Sequence, residues 1–320
     1  MLRISGAAAV MLAATCGMAS AQNWPTKTIR AVVPLSAGSA TDIVARTVMD
    51  QLATQLGQSI IVENRTGAGN TIGMNAVAKA DPDGYTILIN SSTHTAIPAT
   101  HANPPFDAVK DFTPIVPLGN VPVVLVALKE KGYRNIQDFV AAAKARPGSI
   151  NYTSAGAGNS SHLTGERFRL SAGFEAVHLP MKGAPEAMTE VLAGRSDFYF
   201  SPALVAMPFI KDGKLQPLAV SGQQRASVLP DVPTTEEAGY KNSYYNFWIG
   251  LFVPSKTPDD IKAKLYAETR KALDNPATRE KLSKLGVDPM NSNMEQFGKL
   301  VDEEVEINGR LVEAAGLKVR

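Results

Sequence analysis

Twice in this chain a β-branched run stops at a short loop of small and hydroxyl residues, and a helical pattern starts directly after it. That recurrence restricts the fold more than any other feature. In the first copy, residues 28–33 (TIRAVV) read as a strand ended by Pro34, and Ser36, Ala37, Gly38, Ser39, Ala40, Thr41 and Asp42 form the turn. Ile43, Val44, Val48, Met49, Leu52 and Leu56 then recur at helical spacing, with Gly57 placed as a C-terminal cap. In the second copy, residues 149–154 read as a strand, and Ala155-Gly156-Ala157-Gly158 as a glycine-rich turn. Asn159, Ser160, Ser161 and His162 open a helix that runs on to Leu170. Between and around the copies, strands are expected at 60–63, 85–90, 121–128, 197–200 and 215–221, and helices at 71–80, 136–145 and 185–192. Strands alternating with helices predict a parallel α/β sheet with both faces covered. Beyond Pro230 the pattern turns helical, at 259–274, 277–285 and 293–315, and is expected to supply few strands and to pack on a sheet built earlier.

A chain of 320 residues allows two domains. The formal charge is +2, from 32 basic and 30 acidic residues, with no long block of either sign, which argues against nucleic acid as a partner. One cysteine excludes a disulfide framework and any cysteine-rich metal site. Residues 1–21 carry Arg3, an apolar stretch and the triplet Ala19-Ser20-Ala21. They read as a secretory signal peptide cleaved before Gln22, with lipidation at Cys16 the less favoured alternative because bulky Thr15 precedes it. The expected compartment is the periplasm, with the mature chain soluble, since no later stretch is long and apolar enough for a membrane helix.

The loop at 36–42 aims backbone N–H groups and a helix N-terminus at one point, a construction that favours an anion such as a carboxylate. The loop from Ser154 to His162, with Ala157, Gly158, Asn159 and Ser160, offers the same construction. Either loop alone could be a tight turn with an N-cap; two of them favour an anion site. Gly67-Ala68-Gly69-Asn70-Thr71-Ile72-Gly73 resembles a dinucleotide fingerprint, but its spacing is one residue too long and no acid follows at the expected distance, so a plain glycine turn suffices. His94, His101, His162 and His178 form no metal or nucleophile–base motif, so no cofactor is expected. Asp42 reads as a cap or water-holding group. Asp197 either holds a polar group in a cleft or pairs with a nearby base, and Ser92, His94 and Tyr199 are candidate contacts for a flat ligand body.

Several ordered motifs resemble one family, the Bug-type extracytoplasmic solute-binding receptors of tripartite tricarboxylate transporters. They are Trp24-Pro25 with 29–34 (IRAVVP), Asp42-Ile43-Val44-Ala45-Arg46, Val62-Glu63-Asn64-Arg65 with Gly67-Ala68-Gly69, and Pro82-Asp83-Gly84-Tyr85-Thr86. Asp107, Asp111-Phe112, Pro147-Gly148, Lys182-Gly183, 229–234 (LPDVPT), Glu237-Ala238-Gly239 and Trp248 continue the match to Pro254. The resemblance implies a two-lobed α/β periplasmic binding protein of the Venus-flytrap type. One lobe would comprise 22–121 plus 223–320 and the other 122–222. A small mono- or dicarboxylate, aliphatic or aromatic, would lie between them on the two loops, often through waters. It also implies a monomer that delivers its ligand to membrane subunits of the transporter. Two departures, no second glycine after Gly38 and Met181 where a tyrosine commonly precedes Lys182-Gly183, leave ligand identity open. A sensor subunit for a two-component kinase and, with less support, a hydrolase on the same fold remain alternatives.

Overall fold

A computed structural model describes residues 24–317, so the leader read at 1–21 lies outside the described residues. The chain first lays down β1 (Ile29–Val33), α1 (Ala40–Leu56), β2 (Ile60–Asn64), α2 (Thr71–Ala78), β3 (Thr86–Ser91), α3 (Thr93–Thr100) and β4 (Phe112–Asn120). It then crosses into β5 (Val123–Leu128), α4 (Ile136–Ala145), β6 (Asn151–Ser154), α5 (Ser160–Ala172), β7 (Val177–Pro180), α6 (Ala184–Leu192), β8 (Phe198–Pro202), α7 (Ala203–Lys211) and β9 (Leu215–Val220). It returns through β10 (Trp248–Pro254), α8 (Asp259–Asp274), α9 (Pro276–Lys284) and α10 (Met294–Ala314).

These strands build two five-stranded sheets of the same design, β2-β1-β3-β10-β4 and β7-β6-β8-β5-β9. In each, three strands joined by helices run parallel, because a βα crossover returns the chain in the same direction. The remaining strands pair antiparallel. The sheets are therefore mixed, not parallel throughout. The strand that changes the first sheet most is β10, which the helical reading of the C-terminal third passed over. Every residue of β10 is buried, so no polar alternation marks it, and it inserts between β3 and β4. α3, with Pro98 inside it, is a helix that the sequence pattern did not mark.

The core supports the loops from beneath. Ile29, Ala31 and Val33 of β1 pack with Val44, Val48 and Leu52 of α1, and Phe168 of α5 packs with Phe198 and Phe200 of β8. At about 1.5–3 kcal/mol for each fully buried large apolar side chain, these contacts fix where α1 and α5 begin. The second crossover lies later in the chain than 222. Val220 N–H bonds Pro233 O and its carbonyl accepts from Thr235 N–H, both at 2.9 Å, so the β9 ladder continues into this segment. Ala226, Leu229 and Val232 pack with Val124 and Leu215 on the second sheet. Residues 226–235 thus belong with the second lobe, and the chain returns near Tyr245, whose N–H bonds Ser221 O. The end of α10 touches both lobes, Leu311 and Val312 packing with Ala96 of α3 and Leu163 of α5.

Candidate functional site between the two sheets

The carboxyl ends of the parallel strands in both sheets carry the loops that face one another. In the first lobe the β1–α1 loop folds onto its own acid. Ser39 Oγ caps Asp42 N–H, Gly38 N–H donates to Asp42 Oδ2 at 3.0 Å, and Asp42 Oδ1 accepts from Arg46 Nε at 3.0 Å and Asn64 Nδ2 at 2.9 Å. Burial by itself would raise the Asp42 pKa, but the bonds from Arg46, Gly38 and Asn64 outweigh it and hold the carboxyl below its ordinary value. Asp42 therefore occupies the Gly38 N–H, one of the donors that an external anion would need.

The β6–α5 loop has the same backbone plan without the acid. Asn159 Oδ1 accepts from Ser161 N–H at 2.9 Å and His162 N–H at 3.3 Å, and Gly158 N–H donates to His162 Nδ1 at 3.0 Å. His162 is neutral near pH 7, because burial drives its pKa down to about 4. Gly158 has φ +76°, and a Cβ there would lie 2.7 Å from Thr100 Cβ of the opposite lobe, so only glycine suits the position.

The lobes touch on both sides of a cavity of about 690 Å³. On one flank Gly183 backs onto Ser36 so closely that a Cβ would collide with the hydroxyl, and Pro185 lies 3.9 Å from where a Gly38 Cβ would stand. Deeper in, Ser160 Oγ of α5 meets Thr93 Oγ1 at 2.7 Å and Ser92 Oγ at 3.1 Å, and Ser160 N–H donates to Thr93 Oγ1. The first-lobe wall of the cavity is Pro34, the Thr66–Asn70 loop, Thr100 and His101. The second-lobe wall is the Ala155–Gly158 turn, His162, His178 and Pro180 to Lys182, and Leu317, just past α10, completes the lining. Among the described residues no carboxylate lines it, while one lysine and three histidines do. Another cavity, of about 480 Å³ beneath α8 and α9, has a mixed lining that includes Arg270, Arg279, Asp274, Glu280 and Asp288. It lies away from both loops.

Of the residues named from sequence, Ala157, Gly158 and His162 line the interlobe cavity. Ser154 acts one step back, its hydroxyl 2.6 Å from His178 Nε2, and Asn159 acts as the cap. Ala37, Gly38, Ser39, Ala40 and Thr41 wrap the α1 N-terminus, where the Asp42 carboxylate accepts from Gly38 N–H and the Asp42 N–H donates to Ser39 Oγ. Ser92 and Ser160 form the buried contact between lobes.

Three expectations are corrected. His94 lies in the first-lobe core, stacked 4.3 Å from Phe252 and bonded through Nε2 to Ala108 O at 2.6 Å, and burial drives its pKa down to about 4. Asp197 pairs with Lys131 Nζ at 2.5 Å and accepts from Asn151 N–H at 2.8 Å. Asn151 begins the β6 strand that Ser154 ends, so this acid sits at the far end from the cleft. Tyr199 is fully buried beside Val124, Met188 and Val191 in the second-lobe core, where it cannot present a face to a ligand.

The sequence reading passed over His178, His101, Lys182 and the Thr66–Asn70 loop. The one local signal was Gly67-Ala68-Gly69, set aside as a weak nucleotide motif. All four residues from Gly67 to Asn70 have positive φ, a turn that brings the start of α2 to the cavity wall. Behind it Gly73 lets α2 approach β1, since a Cβ would lie 2.8 Å from Pro34 Cβ. Among the described residues no three His, Cys, Asp or Glu side chains gather as a metal site, and no helix is long and apolar enough to cross a membrane.

Residues 44–317 match the family model described as the tripartite tricarboxylate transporter family receptor. The chain belongs to this family. A curated relative from Bordetella pertussis, a UPF0065 protein, is 34% identical over 99% of this chain and 98% of its own. Among solved structures, R. palustris Rpa4515 with adipate superposes with a TM-score of 0.88 at 28% identity, covering 92% of this chain and 99% of that one. MatC from Rhodopseudomonas palustris with bound malate gives 0.85 at 32% identity, covering 90% and 100%. Family membership places this chain among two-lobed periplasmic solute-binding proteins, and the cavity between its sheets is the corresponding candidate site.

Proposed function

We propose that this chain is a periplasmic receptor that captures a small carboxylic acid between its two lobes and hands it to the membrane subunits of a tripartite transporter. The observation that carries the reading is the composition of the interlobe cavity: an α5 N-terminal turn, three imidazoles and Lys182 around about 690 Å³, with no acid among the described residues of the wall. A helix N-terminus favours a nearby negative charge by about 0.3–1 kcal/mol when exposed and up to about 2 kcal/mol when partly buried, and an acid-free wall adds no opposing field. Ligands of the related proteins, adipate and malate, fall in the same chemical class. The cavity volume accommodates aliphatic and aromatic acids alike. Native mass spectrometry of the purified protein, followed by titration calorimetry of adipate, malate and a benzene carboxylate against their full esters, tests the reading. Free acids should bind and esters should not. Equal affinity for acid and ester, or turnover of the bound compound, would overturn it.

A further inference from the structure

His162 and His178 stand face to face on the cavity wall, ring centroids 3.7 Å apart and planes within 6°. Resting on the carboxylate reading above, we propose that this pair distinguishes doubly from singly charged acids, taking up one proton when a second carboxylate enters the cavity. The hydrogen bonds fix which nitrogen receives it. His162 Nδ1 already accepts from Gly158 N–H, so a proton there would break the α5 turn. The Ser154 hydroxyl donates to Gly156 O, which makes His178 Nε2 the donor toward Ser154 Oγ and leaves the lone pair on His178 Nδ1. Two protons on rings stacked this closely repel each other, so the pair accepts one at most.

The surrounding charges leave room for that proton only when the ligand supplies its counterion. From α5, Glu166 faces the pair, but it is neutralised by Arg169 at 2.7 Å and accepts from Tyr152 of β6 at 2.5 Å. On the cavity side stand His101 and Lys182, neither an anion. Burial, and for His178 the adjoining His162 ring, lower both pKa values, to about 4 and about 3, so the pair is neutral near pH 7. A monocarboxylate on the α5 turn adds one negative charge against Lys182. A second carboxylate adds an unmatched one, and His178 is the cavity group with a free acceptor to take the balancing proton.

The test is titration calorimetry of fumarate, malate and adipate against their monomethyl esters, from about pH 8 to about pH 6.5, where the diacids stay largely ionised, in buffers of different ionisation enthalpy. Diacid binding should take up a fraction of a proton that grows as the pH falls toward about 6.5, its affinity rising by less than about tenfold for each unit of falling pH, while the monoesters take up none. His178→Gln, which keeps a side-chain amide donor toward Ser154, should abolish the proton uptake and flatten the diacid profile. Diacids that bind without proton uptake, or that bind no better than monoesters, would overturn the proposal and leave the carboxylate reading standing. Failure of every acid to bind would overturn both. The wild-type buffer dependence decides the matter even if the variant fails to fold.

Discussion

The β1–α1 and β6–α5 loops share one backbone design and differ in one side chain. In each, a glycine N–H donates to the side chain four residues on, Gly38 to Asp42 and Gly158 to His162, and a polar residue next to the glycine, Ser39 or Asn159, caps the helix. In the first lobe the acceptor is a carboxylate held by Arg46 and Asn64. In the second it is a neutral imidazole. The first loop thus carries its own anion, whereas the second carries none. Composition made the loops look equivalent, but the identity of that fourth residue separates a turn that holds a negative charge from a turn that is neutral.

Acidity should separate the loops most strongly. His162, His178 and His94 have folded pKa values far below the ordinary 6.5, so as pH falls from 6.5 toward about 4 the unfolded chain binds protons that the native state refuses. Stability is therefore lost across that window, at about 1.4 kcal/mol per pH unit for each such group. Glu304, buried against Trp248 and Thr95, has the opposite sign: burial raises its pKa to about 7, so its contribution is present below 4.5 and lost as pH rises through about 7. Three imidazoles outweigh one carboxyl. Asp42, with a lowered pKa, contributes stability above 3.8 that disappears only as pH falls below it. Urea unfolding at about pH 7, 5.5 and 4.5 should show a steep decline. A flat profile would mean that the imidazoles are not buried as neutral groups.

Asp42→Ala should cost about 1–3 kcal/mol of stability, because it leaves the Gly38 N–H without its acceptor, while Asn64 Nδ2 keeps Leu35 O and the half-exposed Arg46 keeps Asn64 Oδ1. A loss below 1 kcal/mol would show that the first loop is not organised by its acid. The reciprocal experiment is His162→Asp, which gives the second loop the acid of the first without Arg46 or Asn64 to match it. Affinity for adipate should fall by about 10- to 100-fold, about 1.4–2.8 kcal/mol. Unchanged affinity would place the anion elsewhere.

Both loops were legible in the sequence because glycine, small hydroxyl residues and the onset of helical spacing mark a βα turn locally. What distinguishes their occupancy was not, because Asp42 finds Asn64 across 22 residues and the His162–His178 stack joins α5 to a different strand. The errors have the same origin. His94 followed two hydroxyl residues and looked like a loop ligand, but α3 turns it toward Phe112 and Phe252, and Phe252 belongs to the β10 strand that the sequence did not reveal. Asp197 opens a strand of apolar neighbours, and only the register of β6 against β8 shows that this end is remote from the cleft. Local chemistry predicts a turn well; it does not say which end of a sheet faces a partner lobe.

The contact between α3 and α5 gives the finest test of how the two halves meet. Their first turns meet, and the hydroxyls of Ser92, Thr93 and Ser160 join them. Ser160→Ala removes the 2.7 Å and 3.1 Å hydroxyl contacts but keeps the Ser160 N–H bond to Thr93 Oγ1. One neutral hydrogen bond is worth about 1 kcal/mol net, so the balance between closed and open lobes should shift by about fivefold toward open. Thr93→Ala removes the acceptor of that N–H as well and should shift it further, with the pair non-additive because both touch one cluster. Solution scattering of the unliganded protein should show a larger radius of gyration for Ser160→Ala, and calorimetry an affinity weaker by up to about fivefold. If neither moves while Thr93→Ala moves both, the Ser160 N–H bond is the part of this contact that favours closure and the side-chain hydroxyl of Ser160 has no part in it.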